Sequence, residues 1–291
     1  MPRKMTPKIR KQADQLQLER ESPSKPALVS QALILCPIPF RKPKDTIVER
    51  KTRIPEGVLT VSFAATRKGV SLPFGNDAVL LDLLCSEARK LKSPEITFDR
   101  ARELLELLGL QTDSGASYRL VRERLERLAG MVISVQRKHS GFNVRVVESW
   151  DLSTHKEARH EAGGSKRLFP YAIRFSPEFF DDLMRWYVPI PERVLIAFKS
   201  SPTEYALMKR ILHRSLIAQS ASVIPWDSLR AELGSTDSNP RRFRADVRKV
   251  LQKLRLAWAD LPLAFRLDHS GVRVSPKTLR IIPEAPALPF E

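Results

Sequence analysis

The hydrophobic positions of this chain follow a regular pattern from about residue 58 onwards. Leu59, Val61 and Phe63 alternate with small or polar residues, which predicts a β-strand. From Asn76 to Leu91 the spacing of Leu80, Leu83, Leu84 and Leu91 places them on one face of a helix, which predicts an amphipathic helix. Segments of both kinds succeed one another along the chain, so the pattern predicts an α+β protein.

The segment that follows this helix is typical of a winged-helix domain. A short strand at 96–98 precedes a helix over 99–108. A longer helix begins after Ser114, and strands at 132–136 and 142–148 then form a hairpin. Helix, strand, helix, helix and hairpin in this order predict a helix-turn-helix with a β-hairpin wing. The apolar residues expected on the inner face of the longer helix are Tyr118, Val121, Leu125 and Leu128.

The same order of elements occurs a second time, which predicts two tandem winged-helix domains. A capping box at 201–204 opens the first helix of the second copy, and its hairpin is expected between Leu263 and Ser275. The residues between elements recur at offsets of 124 to 130, which a chance match of one short motif does not explain. The matched segments are 108–109 with 233–234, 112–114 with 236–238, 121–128 with 247–254, and 139–141 with 269–271.

The pattern divides the chain into an arm and two domains. Residues 1–53 carry 13 Lys or Arg against 5 acids, with several prolines and little periodic apolar pattern, so we expect a mostly disordered basic arm. Such an arm attracts phosphate without reading sequence, and a solubility tail without function is the alternative. The first winged-helix domain is assigned to residues 54–187 and the second to residues 188–291.

The charge balance indicates a polyanionic partner. Lys and Arg total 50 against 33 Asp and Glu, a formal net charge of +17, which attracts nucleic acid or an anionic membrane surface. The longest apolar stretch, 27–40, is interrupted by polar residues and prolines and is shorter than the roughly 18 residues that span a bilayer. Double-stranded DNA is therefore the expected partner, with no membrane. Cys36 and Cys85 are expected to be inert thiols of a cytoplasmic protein without a leader.

The most basic predicted helix begins after Asn239, a residue that caps helices, with Pro240 at its first position. One face of this helix is apolar and is expected to face the core: Phe243, Val247, Val250, Leu251, Leu254 and Trp258. The other face is opposed only by Asp246 and carries Arg241, Arg242, Arg244, Arg248, Lys249, Lys253 and Arg255. This asymmetry is typical of a helix that reads DNA.

Residues near the centre of the basic face suit the major groove. Ala245 is small and lets the helix approach base edges, while Arg241 and Arg248 beside it can each bond guanine through two hydrogen bonds. Gln252, one turn further on, can bond adenine in the same way. Arg242, Lys249 and Lys253 are expected on the flank, where they would contact phosphates. A solvated basic helix on a protein that is basic throughout is the alternative.

The equivalent helix of the first copy is less basic. Ser117, Arg119 and Arg122 are candidates for DNA contact, but Glu123 and Glu126 share their face, and packing against a second subunit or the other domain explains these charges equally well. The hairpins supply further candidates for backbone or minor-groove contact. They are Arg137 and Lys138 in the first copy, and His269, Arg273 and Lys277 in the second.

The sequence contains no set of residues with the types and spacing of a catalytic site. Residues 163–166 resemble a phosphate-binding loop only in composition, because neither the spacing nor the preceding strand is present. His155, Glu157, His160 and Glu161 lie in a charged connection and are expected to be a solvated loop and not a metal site. We therefore expect no enzyme activity, no metal and no cofactor, with a DNA-nicking or hydrolytic enzyme as the disfavoured alternative.

The chain from Val70 to Leu128 resembles the RepA-type plasmid replication initiators with a C-terminal RepA region, the group that contains IncW-like RepA proteins. The resemblance is carried by the turn at 72–75, which has Phe74 where the family has Tyr, and by the helix-turn-helix sequence from Leu108–Gly109 through Ser114–Gly115. It extends through 174–177 and 207–213 to about Ser275.

The resemblance implies a function beyond DNA binding. RepA-type initiators bind repeated sites in a plasmid origin, open the adjacent A·T-rich duplex, recruit the host initiator and replicative helicase, and repress their own promoter. In related initiators with two winged helices, the N-terminal domain dimerises and the C-terminal domain supplies the main recognition, which implies a homodimer in equilibrium with monomer. A transcriptional repressor or partition-site DNA-binding protein is the alternative of the same physical class.

Overall fold

The computed structural model describes residues 26–54, 57–98, 101–108, 110, 115–136, 138–151, 171–185, 187–217, 220–234, 239–258 and 265–274. The chain divides into two compact units, Leu28–Tyr187 and Val188–Glu291, and the second also includes Met1–Ala27. Each unit combines helices with an antiparallel sheet, which confirms the predicted mixture of helices and strands.

The first unit holds the elements from the N-terminal segment to residue 187. Its helices are α1 (Gln31–Leu35), α2 (Asp77–Leu91), α3 (Ala101–Leu107), α4 (Gly115–Ala129) and α5 (Pro177–Arg185). Its strands are β2 (Ile47–Ile54), β3 (Gly57–Ala65), β4 (Glu95–Phe98), β5 (Met131–Gln136), β6 (Gly141–Arg145), β7 (Val147–Asp151) and β8 (Tyr171–Phe175). The strands β1 (Pro26–Ser30) and β9 (Tyr187–Pro191) lie where the chain passes between the units.

The main sheet of the first unit has the order β2-β3-β5-β6. The predicted alternation in β3 is confirmed, since Leu59, Val61 and Phe63 are buried and face the core. Val61 lies opposite Val135, and Phe63 lies opposite Ile133. This register puts the apolar positions of both strands on one face of the sheet, where burial of apolar area stabilises the fold.

The N-terminal segment is more ordered than predicted. We expected residues 1–53 to be mostly disordered, but residues 26–53 contain two strands and a helix, and residues 28–53 belong to the first unit. Leu33, Ile34 and Ile38 are buried, and β2 pairs with β3 from Ile47 opposite Ala64 to Ile54 opposite Gly57. The prediction was wrong for this part because backbone pairing compensates for the weak apolar pattern of β2. Residues 1–25 lie outside the described residues, and Cys36 and Cys85 are buried thiols.

The first unit departs from the symmetry predicted between the two copies. The strand β4 does not join the hairpin of β5 and β6; it pairs with β8, which in turn pairs with β7 in a sheet of order β4-β8-β7. The pattern did not predict β8, because its pairing with β4 depends on backbone hydrogen bonds between distant segments. Because β8 lies between β4 and β7, the first unit contains a sheet that the predicted symmetry does not include.

The second unit follows the predicted order of helix, strand, helix, helix and hairpin. After α6 (Glu192–Phe198), its elements are α7 (Pro202–Ile217), β10 (Ser222–Pro225), α8 (Trp226–Glu232), α9 (Pro240–Ala257), β11 (Arg266–Leu267) and β12 (Gly271–Val274). The strands form an antiparallel sheet of order β10-β12-β11. Gly271 is required where β12 meets β10, because a Cβ atom there would overlap the Ile224 carbonyl oxygen.

The interior of the second unit contains charged side chains of α7. The Arg210 guanidinium donates from Nε and Nη2 to the Glu232 carboxylate of α8, at 2.6 and 2.9 Å, and both side chains are almost fully buried. The pair connects α7 with α8 by two parallel charge-assisted hydrogen bonds, a geometry that orients both helices. His213 lies one turn further along α7 and is also buried.

Acidification is expected to weaken the second unit through His213. Burial, reinforced by the charges of Arg210 and Arg214, lowers the pKa of the His213 imidazole from 6.5 to about 3. Between these values the unfolded chain binds a proton that the folded chain does not bind. The free energy of unfolding therefore falls by about 1.4 kcal/mol for each pH unit below about 6.5.

Urea unfolding of His213→Leu between pH 7 and 5 checks this expectation. The variant should show a shallower fall in the free energy of unfolding than the unmodified protein does. His269→Leu is the control, because that imidazole is exposed in the hairpin turn. An equal pH slope in the unmodified protein and in His213→Leu would contradict the assignment.

Candidate nucleic-acid interface

The start of α9 is built as the sequence predicts. Asn239 precedes the helix, and its Oδ1 accepts hydrogen bonds from the backbone N–H groups of Arg241 and Arg242, at 3.0 and 3.3 Å. Pro240 occupies the first helical position, where its missing N–H leaves no helical bond unmade. This cap satisfies two backbone donors that a helix start otherwise leaves unpaired.

The apolar face of α9 packs into the second unit, as predicted. Its six predicted core residues, Phe243, Val247, Val250, Leu251, Leu254 and Trp258, are buried. Phe243 meets the Trp226 ring of α8 edge-on, with ring centroids 6.4 Å apart. Because a helix with one face buried has little freedom to rotate about its axis, this packing determines which side chains face outward.

The outward face of α9 is exposed and basic. Its exposed residues are Arg241, Arg242, Arg244, Ala245, Arg248, Lys249, Gln252 and Arg255. Arg248 forms no ion pair with any described residue, whereas the Arg244 guanidinium lies 5.5 Å from the Trp226 ring centroid. Ala245 leaves a low point between the long side chains, and that arrangement allows close approach to the edges of base pairs.

Two lysines of α9 have partners within the unit. Lys249 Nζ donates to Glu204 Oε1 at 2.7 Å, and Lys253 Nζ donates to Glu204 Oε2 at 3.0 Å. Lys253 also lies 4.5 Å from the Phe198 ring centroid, and its side chain is only 17% exposed. The aliphatic stem and the charge of Lys253 thus both take part in the packing between helices, and its contact with phosphate stays a prediction.

Glu204 is the residue whose role the sequence did not predict. The capping box predicted that its side chain turns back to Ser201, but only half of the box forms, with Ser201 Oγ accepting from the Glu204 N–H at 3.4 Å. The carboxylate reaches α9 instead. Burial raises the pKa of the Glu204 carboxyl, but the hydrogen bonds from Lys249 and Lys253 outweigh burial and hold that pKa below its usual value.

The hairpin of the second unit has an ordered turn. Asp268 Oδ1 accepts from the Ser270 N–H, the Ser270 hydroxyl and the Gly271 N–H, at 2.8, 2.6 and 2.9 Å. These bonds, with the Ser270 hydroxyl first among them, lower the pKa of Asp268 to about 2. His269 and Arg273 are exposed, and Arg273 Nε lies 3.5 Å from Asp268 Oδ2. Lys277 lies outside the described residues.

The predicted site residues of the first unit are only partly accessible. Arg119 and Arg122 of α4 are exposed and Ser117 is half-buried, but Arg122 Nε lies 3.4 Å from Glu126 Oε1. Tyr118 is 37% exposed, so its placement on the inner face was wrong, whereas the other three predicted residues of that face are buried. Lys138 is exposed in the hairpin, and Arg137 lies outside the described residues.

A buried carboxylate at the start of α2 holds α4 in place. Asp77 accepts from Arg127 Nε and Nη2, at 2.7 and 3.0 Å, and Arg124 Nε lies 3.5 Å from its Oδ1. The Phe74 N–H donates to Asp77 Oδ2 at 3.0 Å, and the Arg127 guanidinium lies 4.8 Å from the Phe74 ring centroid. The sequence did not single out this network, since its members are separated by up to 53 positions.

A second exposed basic cluster also escaped sequence analysis. Arg41, Lys42 and Lys44 lie in the loop before β2, and Arg67 and Lys68 lie in the loop after β3. The two loops are joined by the Ala65 N–H, which donates to the Thr46 carbonyl at 2.8 Å. The Arg67 guanidinium lies 4.6 Å from the Trp150 ring centroid. These loops are brought together by strand pairing, so no local sequence signal predicts that their basic residues lie close together.

In the part of the chain that the structure describes, no group of His, Cys, Asp and Glu is arranged to hold a metal, and residues 155–161 lie outside it. None of the helices described combines the length and the apolar character needed to cross a bilayer.

The chain is similar to a known protein family and to solved structures. Residues 92–228, just under half of the chain, match the family model for plasmid encoded RepA protein. The fold is similar to a crystal structure of RctB domains 2–3, with 14% identity, a TM-score of 0.50, and coverage of 74% of this chain and 81% of that one. A selenomethionine derivative of RctB domains 2 and 3 gives 14% identity, a TM-score of 0.52, and coverage of 74% and 80%.

At 14% identity, the similarity to RctB concerns the fold alone. No curated protein gives a significant match to the chain. The family match coincides with a large part of the segment on which the resemblance was stated. The match of residues 92–228 to the family of plasmid encoded RepA proteins confirms the resemblance to RepA-type plasmid replication initiators.

Proposed function

We propose that this protein initiates plasmid replication by binding repeated sites in the origin, with α9 lying in the major groove of the DNA. The observation that carries the proposal is the outward face of α9, where Arg241, Arg248 and Gln252 surround Ala245 in solvent. The opposite face of the same helix is buried, so binding requires no rearrangement of the second unit.

The side chains of this face have the chemistry for reading bases. An arginine bonds the O6 and N7 of guanine through two hydrogen bonds, and a glutamine bonds the N6 and N7 of adenine. Arg242 and Arg244 are proposed to contact phosphates beside the groove, which position the helix without specifying sequence. The ammonium groups of Lys249 and Lys253 are occupied by Glu204.

The second unit is proposed to be a winged-helix domain. Its order of elements and its β10-β12-β11 sheet favour this assignment, and His269 and Arg273 would contact the DNA backbone or minor groove from the hairpin. The first unit is proposed to be a diverged winged helix that supports dimerisation. Its auxiliary DNA contacts would come from Ser117, Arg119, Arg122 and Lys138.

The family match supports a role in replication of a plasmid, and the steps that follow binding are proposed from it. They are opening of adjacent A·T-rich duplex, recruitment of the host initiator and replicative helicase, and repression of the protein's own promoter, all in the cytoplasm and without enzymatic activity. The protein is proposed to exist as a homodimer in equilibrium with monomer. Maintenance of a plasmid that carries the candidate origin tests this role, because a transcriptional repressor or partition-site protein would not sustain replication.

Replacing Arg248 with alanine is expected to cost about 1 to 3 kcal/mol of binding to the preferred duplex, because one guanine contact is lost. Preference at one base pair should relax. Binding is measured to a duplex that the unmodified protein has selected from a randomised library, and to a scrambled duplex of the same composition, over a range of salt concentrations.

Arg185→Ala is the control for this substitution. Arg185 is exposed at the end of α5 in the first unit, so its loss changes the net charge equally without touching α9. The control should retain the preference for the selected duplex. Equal losses for Arg248→Ala on the selected and scrambled duplexes would refute the role of Arg248 as a base-reading residue.

A further inference from the structure

Glu204 lies at the boundary between the basic face of α9 and the interior. It belongs to the first turn of α7, and its side chain is 12% exposed. Its two carboxylate oxygens are each occupied by one lysine of α9, Oε1 by Lys249 at 2.7 Å and Oε2 by Lys253 at 3.0 Å. A single carboxylate thus holds two cations of the helix that carries the DNA-reading face.

The two lysines differ in what Glu204 does for them. Lys253 is 17% exposed and lies against the Phe198 ring, so packing keeps it in place. The Lys249 side chain is 57% exposed and directly follows Arg248 on the outward face. Without its bond to Glu204, the flexible stem of Lys249 would let the ammonium group reach a DNA phosphate. Glu204 therefore determines how many cations α9 offers to the backbone.

We propose that Glu204 is a positioning residue that acts through Lys249: it withholds this ammonium group from phosphate and so lowers the affinity of α9 for DNA of any sequence. The inference rests on the proposed DNA-binding role of α9. Sequence-independent binding grows with each phosphate that a cation neutralises, whereas base contacts carry the discrimination. Bulk DNA competes with the origin repeats for the protein, so a weaker sequence-independent attraction leaves more protein available to them.

The inference predicts the salt dependence of a double-mutant cycle. The probe is a scrambled duplex of about three helical turns, about 30 base pairs. Glu204→Gln should bind it about three to ten times more tightly at about 0.1 M salt, and the slope of log affinity against log salt should steepen by about 0.9. Lys249→Gln alone should leave that slope almost unchanged, because the ammonium group is already occupied. In the Glu204→Gln background, the same Lys249→Gln change should abolish the gain.

Two outcomes overturn the inference. Either Lys249→Gln alone reduces the slope by about 0.9, which means that Lys249 already contacts phosphate, or the gain of Glu204→Gln persists without Lys249. The first outcome is decisive even if Glu204→Gln fails to fold. Glu178→Gln, at an exposed position on α5, controls for the change in net charge and should leave affinity and slope as they are.

A further measurement separates failure of this inference from failure of the proposed function. Arg248→Ala is measured on the same scrambled duplex and on the selected duplex. If the unmodified protein prefers the selected duplex and Arg248→Ala reduces this preference, α9 contacts DNA and the cycle tests Glu204. If neither holds, the proposed function fails, and the inference fails with it.

Discussion

Replacing Glu232 with alanine is expected to lower the free energy of unfolding of the second unit by about 3 to 5 kcal/mol. The change removes both acceptors of the Arg210 guanidinium, which donates to Glu232 at 2.6 and 2.9 Å. Arg210 is almost fully buried, so its charge would remain in the interior without a counter-ion. Because the loss is that of a broken pair and not of an exposed contact, it should far exceed the effect of a surface ion pair.

Urea unfolding followed by tryptophan fluorescence measures this loss, since Trp226 and Trp258 belong to the second unit and are buried. Asp227→Ala provides a matched control on the same helix, because Asp227 is exposed. We expect the control to change the free energy of unfolding by less than about 1 kcal/mol. If Glu232→Ala were no more destabilising than Asp227→Ala, the buried pair would contribute nothing to the stability of the unit.

Replacing Asp77 with alanine is expected to destabilise the first unit by a comparable amount, about 3 to 5 kcal/mol. Asp77 accepts two hydrogen bonds from Arg127 and one from the Phe74 N–H, and Arg124 lies 3.5 Å away. Both arginine side chains are mostly buried, so the substitution removes the buried carboxylate that faces two guanidinium groups and accepts from one backbone donor, and leaves Arg127 only the Glu123 carboxylate at 4.0 Å. The anchorage of α4 to the turn before α2 would be lost.

Urea unfolding followed by circular dichroism measures the effect, with Asp181→Ala as the control. Asp181 is exposed on α5, so its removal deletes a carboxylate of the same unit without breaking a buried network. A difference of less than about 0.5 kcal/mol between the two variants would contradict the structural role of Asp77. A conservative Asp77→Asn change should fall between them, since the amide retains one acceptor oxygen.

The features that the sequence predicts correctly are those with local signals. Asn239 and Pro240 announce the start of α9, and the six apolar residues expected on its inner face are buried. Gly234 follows α8 with a φ of 59°, a left-handed conformation that glycine adopts without strain. Caps, helix ends and amphipathic faces depend on residues within a few positions of one another, so they can be predicted from the sequence without the tertiary structure.

The features that the sequence does not predict are those formed where distant segments meet. The strand β8 pairs with β4 through Glu95 opposite Arg174, a contact that joins residues 79 positions apart. Residues 1–53 have little periodic apolar pattern, but β2 pairs with β3 along its whole length, from Ile47 opposite Ala64 to Ile54 opposite Gly57. Neither pairing has a local signature, because hydrogen bonds between strands depend on the backbone and not on a particular side chain.

The same division applies to the candidate interface. From the sequence alone, α9 is a capped amphipathic helix with one basic face, because periodicity separates apolar from charged positions within the helix itself. Only the tertiary structure distinguishes the cations of that face: Arg248 is left in solvent, whereas Lys249 and Lys253 contact Glu204, which lies 45 and 49 positions earlier in the chain. A charge is a property of the residue, but its partner is decided by which helix packs beside it.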